Sequence, residues 1–384
     1  MQNICKNITV LHVISSLERG GAETVMASLV SNSAADFQHI VVSLQDSGLL
    51  GEKLRSKGVE VVELHMERGK LSLSAIIKLF SLVRKIKPTI VQTWMYHSDL
   101  LGGIVSYLAG VRTVVWGIHS SNLGRDVISF SARASACLSA RVSLWIPRTI
   151  VCCSERAALV HQKMGYQADK FVIIPNGCDL SWFVPDSDAR NRIRAEWGVA
   201  SSEILLGMVA RWDPQKDHVN LLGALSLLMK EGIDFRCVLI GNGMSSDNVA
   251  LVSEIDRVHL SRHIILAGLR DDIPSVMNGL DLHVLSSVGE AFPIAVAEAM
   301  ACSTPCVVTD VGDAALIVGD TGWVVPPQNA VKLADGIKQG LAALKENERA
   351  GLGRACRERI AECFSNKKMV DAYQQVWRNL AGVK

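Results

Sequence analysis

Two glutamates, Glu290 and Glu298, lie in a segment that the sequence predicts to run from a strand through a short loop into a helix. The apolar residues 280–285 are typical of a buried strand, and residues 293–300 have a helical composition that begins with Pro293. Unpaired N–H groups and the positive end of the helix dipole make such a junction favourable for a phosphate. Carboxylates cannot bind that phosphate, but they accept hydrogen bonds from hydroxyl groups, so the segment indicates a site for a sugar phosphate. The alternative is that Glu290 is a solvated loop residue and Glu298 an ordinary surface residue.

Basic residues and glycines follow other predicted strands, at the strand ends where ligands bind in parallel sheets. Arg211 and Lys216 come after the apolar residues 204–210, and both suit phosphate oxygens, the arginine as a planar fork and the lysine as a compact charge. Gly20 and Gly21 separate the first predicted strand from the first helix, where the missing side chain lets the backbone approach a ligand. By themselves, these residues also fit ordinary tight turns.

The segment from Ser286 to Asp310 resembles the signature of the retaining glycosyltransferases of family 4. In that signature, two glutamates separated by seven residues are followed by Ala-Met-Ala and by a Pro-Val-Val strand. Here Glu290 and Glu298 have that spacing, and they are followed by Ala-Met-Ala at residues 299–301 and Pro-Cys-Val-Val at residues 305–308. The resemblance extends over nearly the whole chain and is most specific in its C-terminal half.

Two positions depart from the family signature. Ala291 stands where glycine is common, and Ser303 stands where glycine usually ends the helix. Glycine adopts the left-handed backbone conformation without steric cost, so we expect a mild strain or a different helix cap at Ser303. Neither departure removes a charged group, so the resemblance still implies the activity of the family.

The resemblance implies a set of functional residues. The implied catalytic residues are Glu290, His119, Arg211 and Lys216. The implied residues that bind the sugar donor are Arg211, Lys216, Gly241, Asn242, Gly243, Leu269, Arg270, Glu290, Ala291, Phe292, Pro293, Ile294 and Glu298. The implied acceptor or phosphate loop comprises Gly20, Gly21, Glu23 and His97, with Tyr96 and Asp99 as weaker candidates. In the family, residues like Glu290 hold hydroxyls of the transferred sugar and residues like Glu298 hold the ribose hydroxyls.

The resemblance also implies a fold and a reaction. The fold is GT-B, an α/β architecture of two doubly wound Rossmann-like domains that face each other across a cleft. The reaction transfers a hexosyl or N-acetylhexosaminyl group, with retention at the anomeric carbon, from a nucleotide diphospho-sugar to a glycan or lipid-linked acceptor. Such transfers build bacterial capsules, O-antigens and exopolysaccharides.

The expected mechanism needs neither a protein nucleophile nor a cofactor. No N-domain carboxylate stands out as a nucleophile, so we expect a same-face displacement in which the leaving phosphate accepts the proton of the acceptor, as is proposed for the family. Arg211, Lys216 and the helix N-terminus would neutralise the leaving group. The nucleotide diphospho-sugar is then the co-substrate, and we expect the reaction to be metal-independent.

Predicted strands and helices alternate along the 384 residues, which is typical of parallel sheets covered on both faces. We predict an acceptor-binding domain over residues 1–185 and a nucleotide-sugar-binding domain over residues 186–365. The GT-B resemblance implies that the helix over residues 366–384 packs back on the first domain. Asp-Ser-Asp at residues 186–188 matches the Asp-x-Asp metal motif of another glycosyltransferase fold, but it lies in a linker beside a proline, and we interpret it as a solvated turn.

Charge is distributed unevenly between the two halves of the chain. Residues 1–185 carry 19 Lys and Arg against 13 Asp and Glu, a net +6, and the remainder carries 21 against 25, a net −4. A basic first half favours an anionic partner such as a polyprenyl-diphosphate acceptor or an anionic membrane, and we expect no nucleic acid partner. The segments 71–86 and Arg125–Arg148 combine basic and apolar residues that could lie on lipid head groups. Alternatively, these cations stabilise a helix end or are simply solvated.

The sequence predicts a cytoplasmic protein, acting at the inner face of the cell membrane if it binds lipid. No signal peptide is evident, and the uncharged apolar stretch 100–111 is far shorter than the roughly 20 residues of a membrane-spanning helix. Ten cysteines occur without a C-x-x-C pair, which is typical of free thiols rather than of a metal site.

Other functions share features with this sequence. A GT-B-fold sugar-nucleotide epimerase or a phosphorylase would release a different product from the same donor. A dehydrogenase is disfavoured, because the turn of Gly241, Asn242 and Gly243 would need a third glycine where Ser246 stands. A non-catalytic sugar-nucleotide-binding protein would be expected to have a degenerate site, whereas both glutamates and both basic residues are present.

Overall fold

The computed structural model describes residues 7–18, 20–67, 70–121, 129–345 and 349–383, with residues 345 and 349 described by their backbone alone. Arg125 of the predicted basic segment lies outside these ranges. The strands are β1 (Ile8–Ile14), β2 (Phe37–Ser43), β3 (Glu60–Glu63), β4 (Ile90–Trp94), β5 (Val114–Ile118), β6 (Thr149–Cys152), β7 (Phe171–Ile173), β8 (Leu205–Val209), β9 (Arg236–Ile240), β10 (Ile264–Gly268), β11 (Leu282–Leu285), β12 (Cys306–Thr309) and β13 (Trp323–Val325).

Helices follow nearly every strand. They are α1 (Gly21–Asn32), α2 (Gly48–Ser56), α3 (Leu73–Ile86), α4 (Tyr96–Leu108), α5 (Phe130–Val142), α6 (Glu155–Lys163), α7 (Ser187–Glu196), α8 (His218–Lys230), α9 (Val249–Arg257), α10 (Ile273–Gly279), α11 (Ile294–Ala301), α12 (Ala314–Val318), α13 (Ala330–Lys345), α14 (Arg349–Cys363) and α15 (Asn366–Ala381). Single 3-10 turns lie at Ala168–Lys170, Pro214–Lys216 and Gly319–Thr321.

The chain divides into two compact units. Unit 1 comprises residues 1–177 and 366–384, and unit 2 comprises residues 178–365. The division falls after Gly177 rather than after Pro185, because the segment between them is bonded to unit 2. The N–H of Cys178 donates to the carbonyl of Phe364 at 2.8 Å, and the guanidinium of Arg357 donates to two carbonyl oxygens of the segment.

Unit 1 is built on a seven-stranded parallel sheet with the order β3-β2-β1-β4-β5-β6-β7. Strands β4 and β5 are buried along their whole length, as expected for parallel strands covered on both faces. The chain leaves β1 toward one edge of the sheet and returns at β4 on the other side of β1. The carboxyl ends of these two strands therefore flank a topological switch point, where α/β sheets bind ligands.

Unit 2 is built on a six-stranded parallel sheet with the order β10-β9-β8-β11-β12-β13. Its core contains Leu206 of β8, Leu239 of β9 and Leu282 of β11, with Leu225 of α8 and Ile337 of α13 packed against them. The switch point lies between β8 and β11, where Leu282 pairs with Leu206. The predicted α/β fold with two parallel, doubly wound sheets is confirmed.

The C-terminal helix α15 belongs to unit 1. The side chain of Trp377 on α15 is fully buried, and its ring lies 5.6 Å from Phe37, 5.8 Å from His12 and 5.7 Å from His39, between centroids. Its indole N–H donates to Oε1 of Gln92 on β4 at 3.3 Å. Aromatic packing and one buried hydrogen bond thus join the last helix of the chain to the first sheet.

Two of these rings form a hydrogen-bonded histidine pair. The indole N–H of Trp94 donates to Nδ1 of His12 at 3.2 Å, so Nε2 of His12 carries the proton that is shared with Nδ1 of His39 at 2.9 Å. Burial lowers the pKa of His12 well below its usual value and lowers the pKa of His39 to about 4. Both rings are therefore neutral near pH 7.

Replacing His39 with glutamine, which accepts a hydrogen bond from His12 but takes up no proton, should make the fold less sensitive to acid. A histidine with a folded pKa of about 4 and an unfolded pKa of about 6.5 weakens the fold as the pH falls below the unfolded value. The Tm of the wild type should therefore fall more steeply than that of the variant between about pH 6.5 and pH 4.5. At about pH 7.5 any difference in Tm reflects lost ring packing alone. Parallel plots of Tm against pH would contradict this interpretation.

Candidate functional site

The loops that follow β8 and β11 are bonded to each other at the switch point of unit 2. The N–H of Val288 donates to the carbonyl of Gln215 at 2.9 Å, and the side-chain amide of Gln215 donates back to the carbonyl of Gly289. The hydroxyl of Ser286 donates to the carbonyl oxygens of Lys216 and Asp217, at 2.9 and 3.0 Å. These bonds hold the two loops at a defined separation, so side chains from both can form one site.

Lys216 and Glu290 form an ion pair across these loops. The Nζ of Lys216 bonds to Oε1 of Glu290, and the hydroxyl of Ser287 donates to the same oxygen at 2.7 Å. The two charged side chains are only 18% and 10% exposed. The carboxylate is therefore fixed in orientation, and the predicted residues Lys216 and Glu290 are brought together although 74 positions separate them in sequence.

Arg211 lies in the same loop but is arranged differently. Its guanidinium contacts Asp213 at 3.0 Å and remains 59% exposed. Burial acts to raise the pKa of Asp213, but the N–H of Gln215 and the charge of Arg211 outweigh it and hold that pKa below its usual value. Asp213 was not predicted as a functional residue. Its Asp-Pro sequence before a turn is a signal for a helix cap, and its carboxylate does accept from the N–H of Gln215 at 2.9 Å.

Helix α11 begins at Ile294, one residue later than predicted. Pro293 has extended backbone angles and precedes the first helical residue, so the prediction that it opens the helix is wrong. The buried ring of Phe292 packs edge-on against Phe364 with centroids 5.6 Å apart. At the other end of the helix, Ser303 has φ 62°, the left-handed conformation expected from its place in the family signature.

The backbone of Glu290 and Ala291 is packed against the loop that follows β12. The N–H of Asp313 donates to the carbonyl of Ala291 at 3.0 Å. Gly312 has φ 53°, and a Cβ there would lie 2.3 Å from the carbonyl oxygen of Glu290. Ala291 itself is buried and has no positive φ, so alanine meets no backbone strain at this departure from the family signature.

Glu298 lies in the second turn of α11, and its side chain is only partly exposed. Burial raises the pKa of its carboxyl group to about 7. The group therefore changes charge near neutral pH, in contrast to a solvated glutamate, whose pKa is about 4.3. A carboxylate held in this way gains most from ligands that donate hydrogen bonds to it, such as the hydroxyls of a ribose.

The glycines after β9 are required by packing between loops. Gly241 has φ 139°, and a Cβ there would lie 2.3 Å from the carbonyl oxygen of Ala210. The carbonyl of Asn242 accepts from the N–H of Trp212 at 2.8 Å, and a Cβ on Gly243 would lie 2.8 Å from Cβ of Trp212. The predicted Gly241–Gly243 turn is thus adjacent to the Arg211 loop. Its packing against that loop is enough to explain why glycines stand at positions 241 and 243.

Arg270 is paired with carboxylates of its own unit. Its guanidinium donates to both oxygens of Glu196, at 2.5 and 3.2 Å, and to both oxygens of Asp272, at 2.8 Å each. These partners raise the pKa of Arg270 further. Two carboxylates offset its charge, so the arginine shapes the 268–272 loop rather than offering a cation to a phosphate. The neighbouring Leu269 is 67% exposed.

The residues predicted in unit 1 lie at the carboxyl ends of β1, β4 and β5. His119 follows β5 and stacks on Trp94 of β4 with ring centroids 5.2 Å apart. Burial lowers the pKa of His119 to about 4, against an opposing effect of the Asn176 side chain. The imidazole is therefore neutral near pH 7. His97 is half-buried in the first turn of α4.

Gly20 and Gly21 lie at the start of α1. Gly20 is extended, with φ −159°, and a Cβ there would lie 2.2 Å from Oε2 of Glu23. The carboxylate of Glu23 folds back over Gly20, and burial raises the pKa of that carboxylate. Asp99 and Tyr96, the weaker acceptor candidates, are buried, and Asp99 accepts from the hydroxyl of Thr93 at 2.5 Å. Their contact with an acceptor stays a prediction, and in this structure both side chains are packed inside unit 1.

Asp186 and a set of three residues in unit 1 could each be taken for metal ligands, but both have bonding partners within the protein. Asp186 caps α7, since its side chain accepts from the N–H groups of residues 188 and 189 at 2.9 Å, so the Asp-Ser-Asp match is a helix start. Among the described residues, one group has metal-ligand spacing, namely Asp46, Glu63 and His65 of unit 1. Its members are already paired, because Nδ1 of His65 lies 2.6 Å from Asp46 and Glu63 bonds to Arg55 at 2.5 Å.

Two parallel-sheet Rossmann-like units in one chain are the architecture of the GT-B fold, and comparisons with solved structures confirm that fold. Anabaena HepE in complex with UDP-glucose superimposes with a TM-score of 0.82 at 20% identity, covering 98% of this chain and all of the other. Sucrose-phosphate synthase from Thermosynechococcus elongatus superimposes with a TM-score of 0.80 at 18% identity, covering 98% of this chain and 99% of the other.

Sequence comparisons give the family. Residues 19–182 match the protein family described as Glycosyltransferase Family 4. Residues 189–359 match the protein family described as Glycosyl transferases group 1. The UDP-Gal:alpha-D-GlcNAc-diphosphoundecaprenol alpha-1,3-galactosyltransferase of Escherichia coli is 25% identical over 317 residues, 79% of each chain. The chain belongs to the glycosyltransferases of the family 4 type, as its sequence signature indicated.

Gly312→Ala should destabilise unit 2 and displace the Glu290 loop, because the new Cβ would clash with the carbonyl oxygen of Glu290. A positive φ alone costs alanine about 1–2 kcal/mol, and the clash adds to it. We expect urea denaturation to show a loss of about 2 kcal/mol or more in the free energy of unfolding.

Gly351→Ala is the matched control, since Gly351 lies in α14 and nothing lies within 4 Å of its added Cβ. Alanine in place of this helical glycine should be neutral or stabilise by up to about 1 kcal/mol. If Gly312→Ala unfolded at the same urea concentration as this control, the packing argument for Gly312 would be wrong.

Proposed function

We propose that this glycosyltransferase transfers a hexosyl or N-acetylhexosaminyl group, with retention, from a UDP-sugar to a polyprenyl-diphosphate-linked glycan in bacterial polysaccharide assembly. The observation that carries the proposal is the Lys216–Glu290 pair at the switch point of unit 2, which lies beside Arg211 and next to the start of α11. The choice of UDP is supported by HepE, which is solved with UDP-glucose, and by the E. coli relative, which is named for UDP-Gal and a diphosphoundecaprenol acceptor.

The residues at this site suit the departure of a nucleoside diphosphate. The exposed guanidinium of Arg211, the ammonium of Lys216 and the N-terminal N–H groups of α11 offer positive charge to the diphosphate. Three such groups can offset the negative charge that develops on the leaving phosphate, which is the role of a metal ion in other enzymes. We therefore expect transfer without a bound metal, with the sugar nucleotide as the only small co-substrate.

We expect Glu290 to hold the donor sugar rather than to attack it. One carboxylate oxygen already accepts from Lys216 and Ser287, which stabilises the negative charge and lowers its nucleophilicity. In the reaction we infer, the acceptor oxygen bonds to the anomeric carbon while the bond from that carbon to the phosphate oxygen breaks on the same face. The acceptor proton passes to the leaving phosphate. Trapping a covalent glycosyl-enzyme on Glu290 would refute this route.

His119 would act as a neutral hydrogen-bonding group. With a pKa of about 4, its imidazole is uncharged at the pH of the cytoplasm and does not repel the oxocarbenium-like sugar. Stacking on Trp94 holds the ring in one plane. The proposed role is to position a hydroxyl of the donor sugar at the end of β5.

The surface of helix α3 supports the proposal that the protein contacts anionic lipids at the inner face of the cell membrane. None of the described helices is both long and apolar enough to cross a bilayer. On α3, however, Leu73, Ile77 and Phe80 follow helical spacing and are 73%, 57% and 39% exposed. Basic residues follow at 84, 85 and 87, near the end of the helix. An exposed apolar stripe with cations at one end is typical of helices that lie in a membrane interface.

Lys216→Ala and Glu298→Gln should each weaken UDP binding by at least about tenfold, because each removes a charged hydrogen-bonding partner. Titration calorimetry measures the affinities, and UDP should raise the Tm of the wild type most. Lys332→Ala is the control, since Lys332 is an exposed lysine on α13 of the same unit. Stabilisation by a nicotinamide dinucleotide and not by UDP would contradict the proposed donor, and UDP-sugar binding without transfer to a lipid-linked glycan would contradict the proposed acceptor.

The affinity for UDP should rise with pH through about 7. Ribose hydroxyls donate hydrogen bonds to an ionised carboxylate, and Glu298, whose pKa is raised to about 7, becomes ionised over this range. Between about pH 6 and pH 8 we expect a rise of up to roughly tenfold, levelling off above pH 8. Glu298→Gln should remove the part of this dependence that is due to Glu298 and leave the part due to the terminal phosphate of UDP, whose second pKa is about 6. An equal pH dependence in the variant would assign the effect to another group.

A further inference from the structure

A cavity lies between helices α5 and α6 of unit 1, within the basic segment predicted to contact lipid head groups and apart from the residues predicted to bind the sugar donor or the acceptor. Its volume is about 550 Å³, within the range of small-molecule sites. Arg133, Cys137 and Arg141 line it from α5, Val160 lines it from α6, and Met164 lines it from the position directly after α6. The wall is therefore apolar with two guanidinium groups, which is the composition expected of a site for an amphipathic anion.

The two arginines are available to a ligand. They lie eight residues apart on one face of α5, so their Cα atoms are about 12 Å apart and both side chains can reach the cavity between them. No carboxylate in the described part of the chain forms an ion pair with Arg133 or Arg141. Guanidinium groups bind phosphate oxygens in pairs of hydrogen bonds, so an unpaired couple in a cavity favours a phosphate group.

Large apolar side chains surround these positions and face solvent. Phe130, one turn before Arg133, is 90% exposed, and Trp145, one turn after Arg141, is 66% exposed. Leu159, next to the lining residue Val160, is 54% exposed. Soluble surfaces rarely group such residues, whereas aromatic and aliphatic side chains beside arginines are typical of the lipid–water interface. A water-soluble phosphate would leave this apolar rim exposed.

The cavity and the apolar stripe of α3 lie in the same helical layer. Helix α4 packs against both α3 and α5, so the three helices are neighbours over one face of the sheet. A membrane that contacts the stripe of Leu73, Ile77 and Phe80 can therefore also reach α5.

We propose that the α5–α6 cavity binds the phosphate-bearing head group of an anionic membrane phospholipid, with Arg133 and Arg141 on the phosphate and the apolar rim against the acyl chains. This inference extends the membrane contact proposed above and does not depend on the sugar-donor site. It assigns to this cavity a lipid that anchors the enzyme, separate from the acceptor that the enzyme glycosylates.

The test is flotation of the full chain with vesicles of phosphatidylcholine, with and without about one third phosphatidylglycerol. Each arginine near an anionic surface contributes about fivefold in partitioning, so replacing Arg133 and Arg141 together with glutamine should weaken binding by roughly 25-fold. Replacing Lys53 and Lys57 with glutamine is the matched control, because it removes the same charge from α2 and the residue that follows it, and should change binding less than about twofold.

Cys137→Trp distinguishes a lipid inside the cavity from lipids that adhere only to the surface. This variant keeps both arginines and fills the cavity from α5. It should weaken binding to the anionic vesicles, and inorganic phosphate should not compete with them at millimolar concentration. Equal or tighter binding by Cys137→Trp would overturn the proposal, as would release of the protein by free phosphate.

Ile77→Ser on α3 separates this inference from the membrane contact itself. One outcome is that the wild type binds anionic vesicles, that Ile77→Ser weakens this binding and that the double arginine variant does not. In that case the membrane contact stands and the cavity proposal is wrong. If the wild type binds no vesicles, both are wrong, while UDP binding still tests the transferase site independently.

Discussion

The ion pair between Lys216 and Glu290 is the interaction on which the candidate site depends. Each charge is largely removed from water, so each needs the other, and separating them would leave an uncompensated buried charge. Their contact requires β8 and β11 to be adjacent in the sheet, and the pairing of Leu206 with Leu282 provides that. The hydrogen bonds between the two loops then hold the pair at a fixed position, and Ser287 orients the carboxylate.

The charges around this pair differ in how available they are to a ligand. Arg211 has one acidic neighbour and remains mostly exposed, whereas Arg270 is held by Glu196 and Asp272 from both sides. The first arrangement leaves a cation that a diphosphate can use, and the second builds a rigid loop. The raised pKa of Glu298 adds a group whose charge depends on pH within the physiological range. Arginine and carboxylate side chains thus belong to the candidate site in one loop and stabilise the backbone of another, depending on their surroundings.

Unit 1 has neutral histidines in its interior and basic residues at its surface. Burial keeps His12, His39 and His119 neutral, and aromatic packing around Trp377 joins α15 to the first sheet. On α3 and α5, by contrast, basic residues stand beside exposed apolar side chains. The basic residues of these two helices contribute to the net charge of +6 of residues 1–185, which contrasts with the −4 of the remainder.

The sequence alone predicted the fold and the composition of the candidate site. Parallel strands buried on both faces are short apolar runs between polar turns, so the runs at 204–210 and 280–285 contain β8 and β11. The motif of Glu290 and Glu298 identified the family because the family preserves that spacing. Only the tertiary structure decided which side chains contact each other. Contacts between residues that are distant in sequence depend on strand order and loop packing, and the local sequence does not encode either. They pair Lys216 with Glu290, occupy Arg270 with Glu196, bury Asp99 behind Thr93 and form the cavity between α5 and α6.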